Sequence, residues 1–126
     1  MKDKLIKLLD NSYAPYSNMH FACIVETKNG NFYEGANIEN ASYGATVCAE
    51  RNAIFNAVSH GEKEFKALYL MTSSDDICYP CNLCKQVFLE FFDRDVIFNI
   101  MTRNGKMEVL TFDKLMVTTF TKEDLK

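Results

Sequence analysis

Thr46-Val47-Cys48-Ala49-Glu50-Arg51-Asn52-Ala53-Ile54-Phe55-Asn56-Ala57-Val58 places a cysteine and a glutamate at the opening of a helix. Val47, Ala49, Ala53, Ile54, Ala57 and Val58 recur at helical spacing, Gly61 is a stop signal, and Thr46 is a candidate N-cap. Working backwards, Phe21 to Thr27 and Asn31 to Ile38 read as two strands joined at Asn29-Gly30. A polar loop, Asn40 to Thr46, leads from this hairpin into the helix. Before the hairpin, Leu5, Ile6, Leu8 and Leu9 alternate with lysines in an amphipathic helix over residues 2–13, ended by Ala14-Pro15-Tyr16-Ser17-Asn18.

Working forwards, Phe65 to Met71 is a buried strand. Pro80 suits the first turn of a helix that runs through Val87, Phe88, Phe91 and Phe92. Val96 to Met101 and Met107 to Leu110 are strands on either side of a turn at Asn104-Gly105, with a short helix near Asp113 to Met116. The order α-β-β-α-β-α-β-β predicts an α/β fold. Its expected form is three α-β-α layers around a mixed sheet of about five strands, in one domain spanning 1–126.

The second helix also opens on cysteines, in Pro80-Cys81-Asn82-Leu83-Cys84. Cys48, Cys81 and Cys84 make three candidate ligands, one short of a closed tetrahedral zinc site. Three thiolates make the centre formally anionic, so its water ionises less readily than at a histidine site. Two helix N-termini, which favour thiolates, offset that charge, and so does Arg51 beside Glu50. Glu50, if it does not bind the metal, is placed to accept a proton from water and pass it on. Alone, it would read as a first-turn glutamate complementing the helix dipole.

The chain has 126 residues, 48% hydrophobic and 25% charged, with a formal net charge of -3. This suits a globular chain that buries roughly two thirds of its unfolded surface. The acidic balance and the lack of a basic aromatic stripe argue against a nucleic-acid partner and for a small substrate. Charges interrupt the apolar residues of Met1 to Leu9, and no stretch approaches the ~20 apolar residues of a membrane span. A cytoplasmic protein is expected, its five cysteines serving as metal ligands or free thiols.

Cys78-Tyr79-Pro80-Cys81-Asn82-Leu83-Cys84 keeps rival readings open. Cys78 with the other three would close a structural four-cysteine zinc in a non-catalytic module. The overlapping Cys-x-x-Cys units also suggest part of an iron–sulfur run, although Phe88 stands where the next cysteine is expected. Cys23 reads as a core residue, and His20 and His60 as satisfied or surface histidines.

Cys48-Ala49-Glu50 followed by Pro80-Cys81-Asn82-Leu83-Cys84 matches the signature of the zinc deaminases in a three-cysteine form. With Gly35-Ala36-Asn37-Ile38-Glu39-Asn40-Ala41-Ser42-Tyr43 and Ala14-Pro15-Tyr16-Ser17, the text resembles the small homotetrameric cytidine deaminases over nearly the whole chain. The resemblance implies one zinc per subunit on Cys48, Cys81 and Cys84. It also implies hydrolytic deamination of cytidine and deoxycytidine, as in pyrimidine salvage, or of a related or modified base. Glu50 would carry protons to the ring nitrogen and the departing ammonia.

The backbone of Ala49 would face the base, and Asn37 and Glu39 would hold the ribose hydroxyl; read without the family, those two are a polar loop with capping duties. Ala41, Tyr43 and Phe120 match positions that complete pockets across subunit contacts. Lys85 stands where the family has arginine and joins Arg51 among the cations around the zinc, although lysine cannot copy a planar bidentate contact. Met19 replaces a usual phenylalanine, and Met116 to Thr121 lacks the frequent proline and glycine.

Overall fold

A strand can be fully buried on one face only if something covers that face, and here helices cover both faces of one sheet. The structure, a computed structural model, describes residues 1–125. Its elements are α1 (Lys2–Leu9), β1 (Phe21–Thr27), β2 (Phe32–Ala36), α2 (Ala49–Ser59), β3 (Phe65–Thr72), α3 (Asn82–Phe91), β4 (Ile97–Thr102), β5 (Met107–Thr111) and α4 (Phe112–Met116). Short 3-10 turns lie at Tyr43–Ala45 and Lys122–Leu125. The strand order is β2-β1-β3-β4-β5. Only β3 and β4 run parallel, as their connection through α3 requires; the other pairs are antiparallel. The mixed sheet of the sequence reading is therefore present.

Alternation along the strands divides the core in two. Cys23, Val25, Leu68, Leu70, Phe98 and Ile100 face α2, α3 and α4. Ala22, Ile24, Met71 and Met101 face Leu5, Leu8 and Leu9 of α1. Phe88 stacks on Phe92 at 5.2 Å between ring centroids, and Phe98 packs at 5.1 Å from Phe88, which ties α3 to β4.

The packing of α2 sets the site. A side chain at Gly35 of β2 would lie 2.3 Å from Ala53 N and 2.6 Å from Ala49 O, so α2 rests directly on the strand backbone. Asn52 Nδ2 donates to Ala36 O at 2.7 Å and fixes the same contact. Glycine is required there for closeness of approach.

Strand ends shift by one or two residues from the sequence reading, and three helix boundaries differ from it. Cys48, with ψ 155°, is the N-cap of α2, and Thr46 is extended. The cause is a two-way bridge in which Ile38 and Val47 exchange backbone hydrogen bonds at 2.9 Å, holding the chain straight up to the cysteine. Cys81, with ψ 172°, caps α3, so Pro80 stands before the helix and not in its first turn. The first helix ends at Leu9, because the chain then tightens through Asn11 N to Leu8 O and Ser12 N to Leu9 O. It next bridges from Tyr13 to the end of the hairpin.

Candidate metal centre and active site

Two helix starts converge on one point. Cys48 caps α2, Cys81 caps α3, and Cys84 lies one turn into α3. Their sulfurs all lie within 4.8 Å of one another, with Cys48 to Cys81 at 3.9 Å and Cys81 to Cys84 at 3.8 Å. Sulfurs held at about 2.3 Å from a tetrahedral zinc are separated by about 3.8 Å, so the spacing fits that ion.

The donor set itself calls for a cation. Contact with Cys81 pushes the Cys48 thiol up to about 12, and contact with Cys48 and Cys81 drives Cys84 higher still. Hydrogen bonding with Cys48 and Cys84 holds Cys81 well below its usual range. Three adjacent sulfurs lose all their protons together only when a metal takes the charge.

Arg51 serves the same balance. Its Nη2 lies 3.4 Å from Cys48 Sγ and 3.4 Å from Thr46 O, while its buried Nε has no partner among the described residues. Lys85 does something else. It is buried in the first turn of α3, and its Nζ donates to the carbonyls of Met116 and Thr118 rather than to a cysteine sulfur. Cys78 is buried apart from the three-sulfur group and points its Sγ to Asp76 O at 3.7 Å. Neither a four-cysteine zinc nor a longer cluster is built from it. His20 Nδ1 lies 2.9 Å from Ser12 Oγ, and His60 Nδ1 lies 2.8 Å from Asn56 O, so neither histidine joins the metal group.

Beside the sulfurs lies a cavity of about 240 Å³ whose walls include Cys48, Glu50, Cys81, Asn37, Glu39 and Phe120. Glu50 is 5% exposed and lies outside the ligand group. Burial pushes its carboxyl up to about 7, with the charge at Cys81 adding to the effect. A carboxyl tuned to that range can both take and give a proton near neutrality. Ala49, which precedes it, is fully buried in the core, its carbonyl facing Gly35 of β2.

Asn37 and Glu39 follow β2 and reach the 12–21 segment. Asn37 Oδ1 accepts from Ser12 Oγ and from Phe21 N at 2.9 Å, and its Nδ2 donates to Met19 O at 2.9 Å. Glu39 accepts from the amides of Tyr16 and Ser17 at 3.0 and 3.1 Å and from Ser17 Oγ. Burial works to raise the Glu39 carboxyl, but these donors outweigh it and hold the group below the usual carboxylate range.

Phe120 lines the cavity of its own chain, and Met19 stands on the same wall. Ala41 is exposed, and Tyr43, 78% exposed, lies in an adjoining cleft with Tyr16 and Glu39. Tyr79 is a wall residue that sequence reasoning passed over. Its hydroxyl donates to Glu108 Oε1 of β5 at 2.6 Å. The available signal was an aromatic ring immediately before Pro80-Cys81.

The family model for the cytidine and deoxycytidylate deaminase zinc-binding region matches residues 1–100. The chain belongs to this deaminase family. It is 38% identical over 119 residues to the cytidine deaminase of Sporosarcina psychrophila, covering 94% of this chain and 88% of the relative. To the cytidine deaminase of Halalkalibacterium halodurans it is 35% identical, over 95% and 91% of the two chains. The crystal structure of cytidine deaminase from Burkholderia pseudomallei superposes with a TM-score of 0.85 at 31% identity, covering 94% of each chain. The five-stranded α/β fold is that of the family, and the three-cysteine group fits the zinc of its binding region.

Proposed function

We propose that this deaminase-family chain converts cytidine and deoxycytidine to uridine and deoxyuridine with release of ammonia, a step of pyrimidine salvage. One observation carries the reading: Glu50 is a buried carboxylate inside the metal cavity but outside the three-sulfur group. Cys48, Cys81 and Cys84 would hold the zinc, whose Lewis acidity would make a water nucleophilic at neutral pH. Glu50 takes a proton from that water as the C4–O bond forms and delivers it to the ring nitrogen N3. It then passes the second proton of the water to the amino group, the C4–N bond breaks, and ammonia leaves. Arg51 steadies the Cys48 sulfur while charge shifts at the centre.

The sugar end is supported by the hydrogen-bond capacity left over. Asn37 Nδ2 keeps a second hydrogen beyond the one given to Met19, and Glu39 retains lone-pair capacity after its three donors. Among the described residues that line the cavity, none is lysine, arginine or histidine, and two are carboxylates. A 5′-phosphate would meet negative charge there without a cation to bind it, so the substrate is a nucleoside rather than a nucleotide.

The test is ammonia release by zinc-loaded protein from a panel of cytidine, deoxycytidine, free cytosine and deoxycytidylate. Both nucleosides should turn over, with free cytosine poorer by about 10²-fold or more because the sugar contacts that position the base are lost. Silence toward both nucleosides would end the reading, and equal rates on free cytosine would remove Asn37 and Glu39 from it.

We further propose a cytoplasmic homotetramer. All five cysteines are unpaired, as suits a reducing compartment, and no helix is long and apolar enough to cross a membrane among the described residues. Exposed Ala41 and Tyr43 are free to reach a neighbouring subunit's pocket. Sedimentation should give a tetramer; a fully active monomer would contradict the shared pockets.

A further inference from the structure

Behind Asn37 stand two polar side chains, Ser12 and His20, and the contacts among the three decide where each proton sits. Two backbone groups set the orientation of the Asn37 amide. Oδ1 meets the Phe21 N–H at 2.9 Å and must be an acceptor, and Nδ2 meets the Met19 carbonyl at 2.9 Å and must be a donor. Ser12, in the turn after α1, approaches the same Oδ1. An amide oxygen has no proton to give, so the Ser12 hydroxyl donates. That hydroxyl has one proton, and with it spent on Asn37 the Ser12 oxygen can only accept. His20 Nδ1 lies 2.9 Å from this oxygen and therefore carries the hydrogen.

His20 is a firm origin for this run of bonds. Its N–H donates to Ser73 Oγ at 3.0 Å, and its carbonyl accepts from Ser73 N at 2.9 Å, which pins the residue to the end of β3. Ser12 and His20 are half-buried, and neither is among the described residues that line the cavity, whereas Asn37 is one of them. Any influence of the pair on a bound molecule therefore passes through Asn37. The Met19 and Phe21 bonds reach the amide from one short stretch of chain, and Ser12 supplies a partner from a second. A bond accepted at Oδ1 also polarises the amide, so the spare Nδ2 hydrogen becomes a stronger donor.

We propose that His20 and Ser12 are positioning residues for the sugar of the substrate: a one-way relay, His20 Nδ1–H to Ser12 Oγ–H to Asn37 Oδ1, holds and polarises the amide whose remaining hydrogen is offered to a sugar hydroxyl. The inference rests on the nucleoside reading for its substrate, but the direction of the relay is a property of the chain alone. Both the imidazolium and the neutral Nδ1–H tautomer support it; the neutral Nε2–H tautomer does not.

The chain has two histidines, so His60→Gln leaves His20 as the single imidazole signal. In that variant, zinc-loaded and labelled with nitrogen-15 histidine, long-range proton–nitrogen correlation at alkaline pH should show a neutral ring protonated at Nδ1. A ring protonated at Nε2 would overturn the relay. In the otherwise native chain, His20→Leu and Ser12→Ala should each lower kcat/KM for cytidine about fivefold, the worth of one hydrogen bond, and leave that for free cytosine, which has no sugar, within about twofold. The double variant should be no worse than either single one, because both break the same run of bonds. His20→Asn puts an amide N–H where the Nδ1–H stood and should restore the cytidine value. If His20→Leu does not fold, Ser12→Ala carries the same test. An equal fall on free cytosine, no fall on cytidine in the folded variants, or an asparagine no better than leucine would overturn the relay. A chain inert to cytosine and to both nucleosides would instead remove the deaminase reading, and the tautomer of His20 would still decide the relay.

Discussion

Glu50→Gln is expected to retain zinc and to lose turnover, with kcat for cytidine falling by about 10²–10⁴-fold, the usual worth of a positioned proton carrier. The two halves of this result come from different observations. Zinc stays because the ligand group consists of Cys48, Cys81 and Cys84 alone, and glutamine has nearly the shape of glutamate. Turnover goes because the amide cannot accept the proton of water or return it to the base. A neutral amide also suits the burial that pushes the Glu50 carboxyl up to about 7, so the variant should be no less stable than the parent. Metal analysis and thermal melting with steady-state kinetics check all three parts. Loss of zinc with activity would make Glu50 a ligand, and full activity would remove it from the chemistry.

Gly35→Ala is expected to meet the tightest backbone of any glycine-to-alanine change in the chain and to be strongly damaging. The added carbon would meet three backbone atoms of α2 at 2.3, 2.6 and 2.8 Å, and backbone cannot swing aside as a side-chain end can. The helix must lift from β2, breaking the Asn52 to Ala36 bond and moving Cys48 and Glu50, which open that helix. Overpacking of this kind costs about 3 kcal/mol. For a chain of this size that is a fall of about 10 °C in melting temperature. Activity should fall further than stability, because a misplacement of about 1 Å at the reacting groups costs about 10²-fold in rate. A variant that melts and turns over like the parent would mean that α2 does not owe its position to this contact.

Much of this was legible from local pattern. Alternation in Phe21 to Thr27, the Asn-Gly turns and the helical spacing after Cys48 each concern residues close in sequence, where period and turn chemistry decide the outcome. The metal group was legible because thiols at helix starts carry their chemistry wherever the fold places them. What escaped depends on contacts between distant segments. The bridge of Ile38 with Val47 moved the cap from Thr46 to Cys48. Lys85 meets Thr118 across 33 positions, and Tyr79 meets Glu108 across 29; no local signal announces either pairing. Read as a cation beside the zinc, Lys85 instead spends its donors on the tail. The burial of Cys78 away from the other sulfurs likewise follows from the loop's path after β3, which spacing alone does not reveal.

The central claim is an open zinc on three sulfurs beside an unbound carboxylate. Zinc-edge X-ray absorption on the metal-loaded protein tests it most directly. The account predicts three sulfur neighbours at about 2.3 Å and one lighter atom, with the same spectrum in Glu50→Gln. Four sulfurs, or a spectrum altered by that substitution, would contradict it.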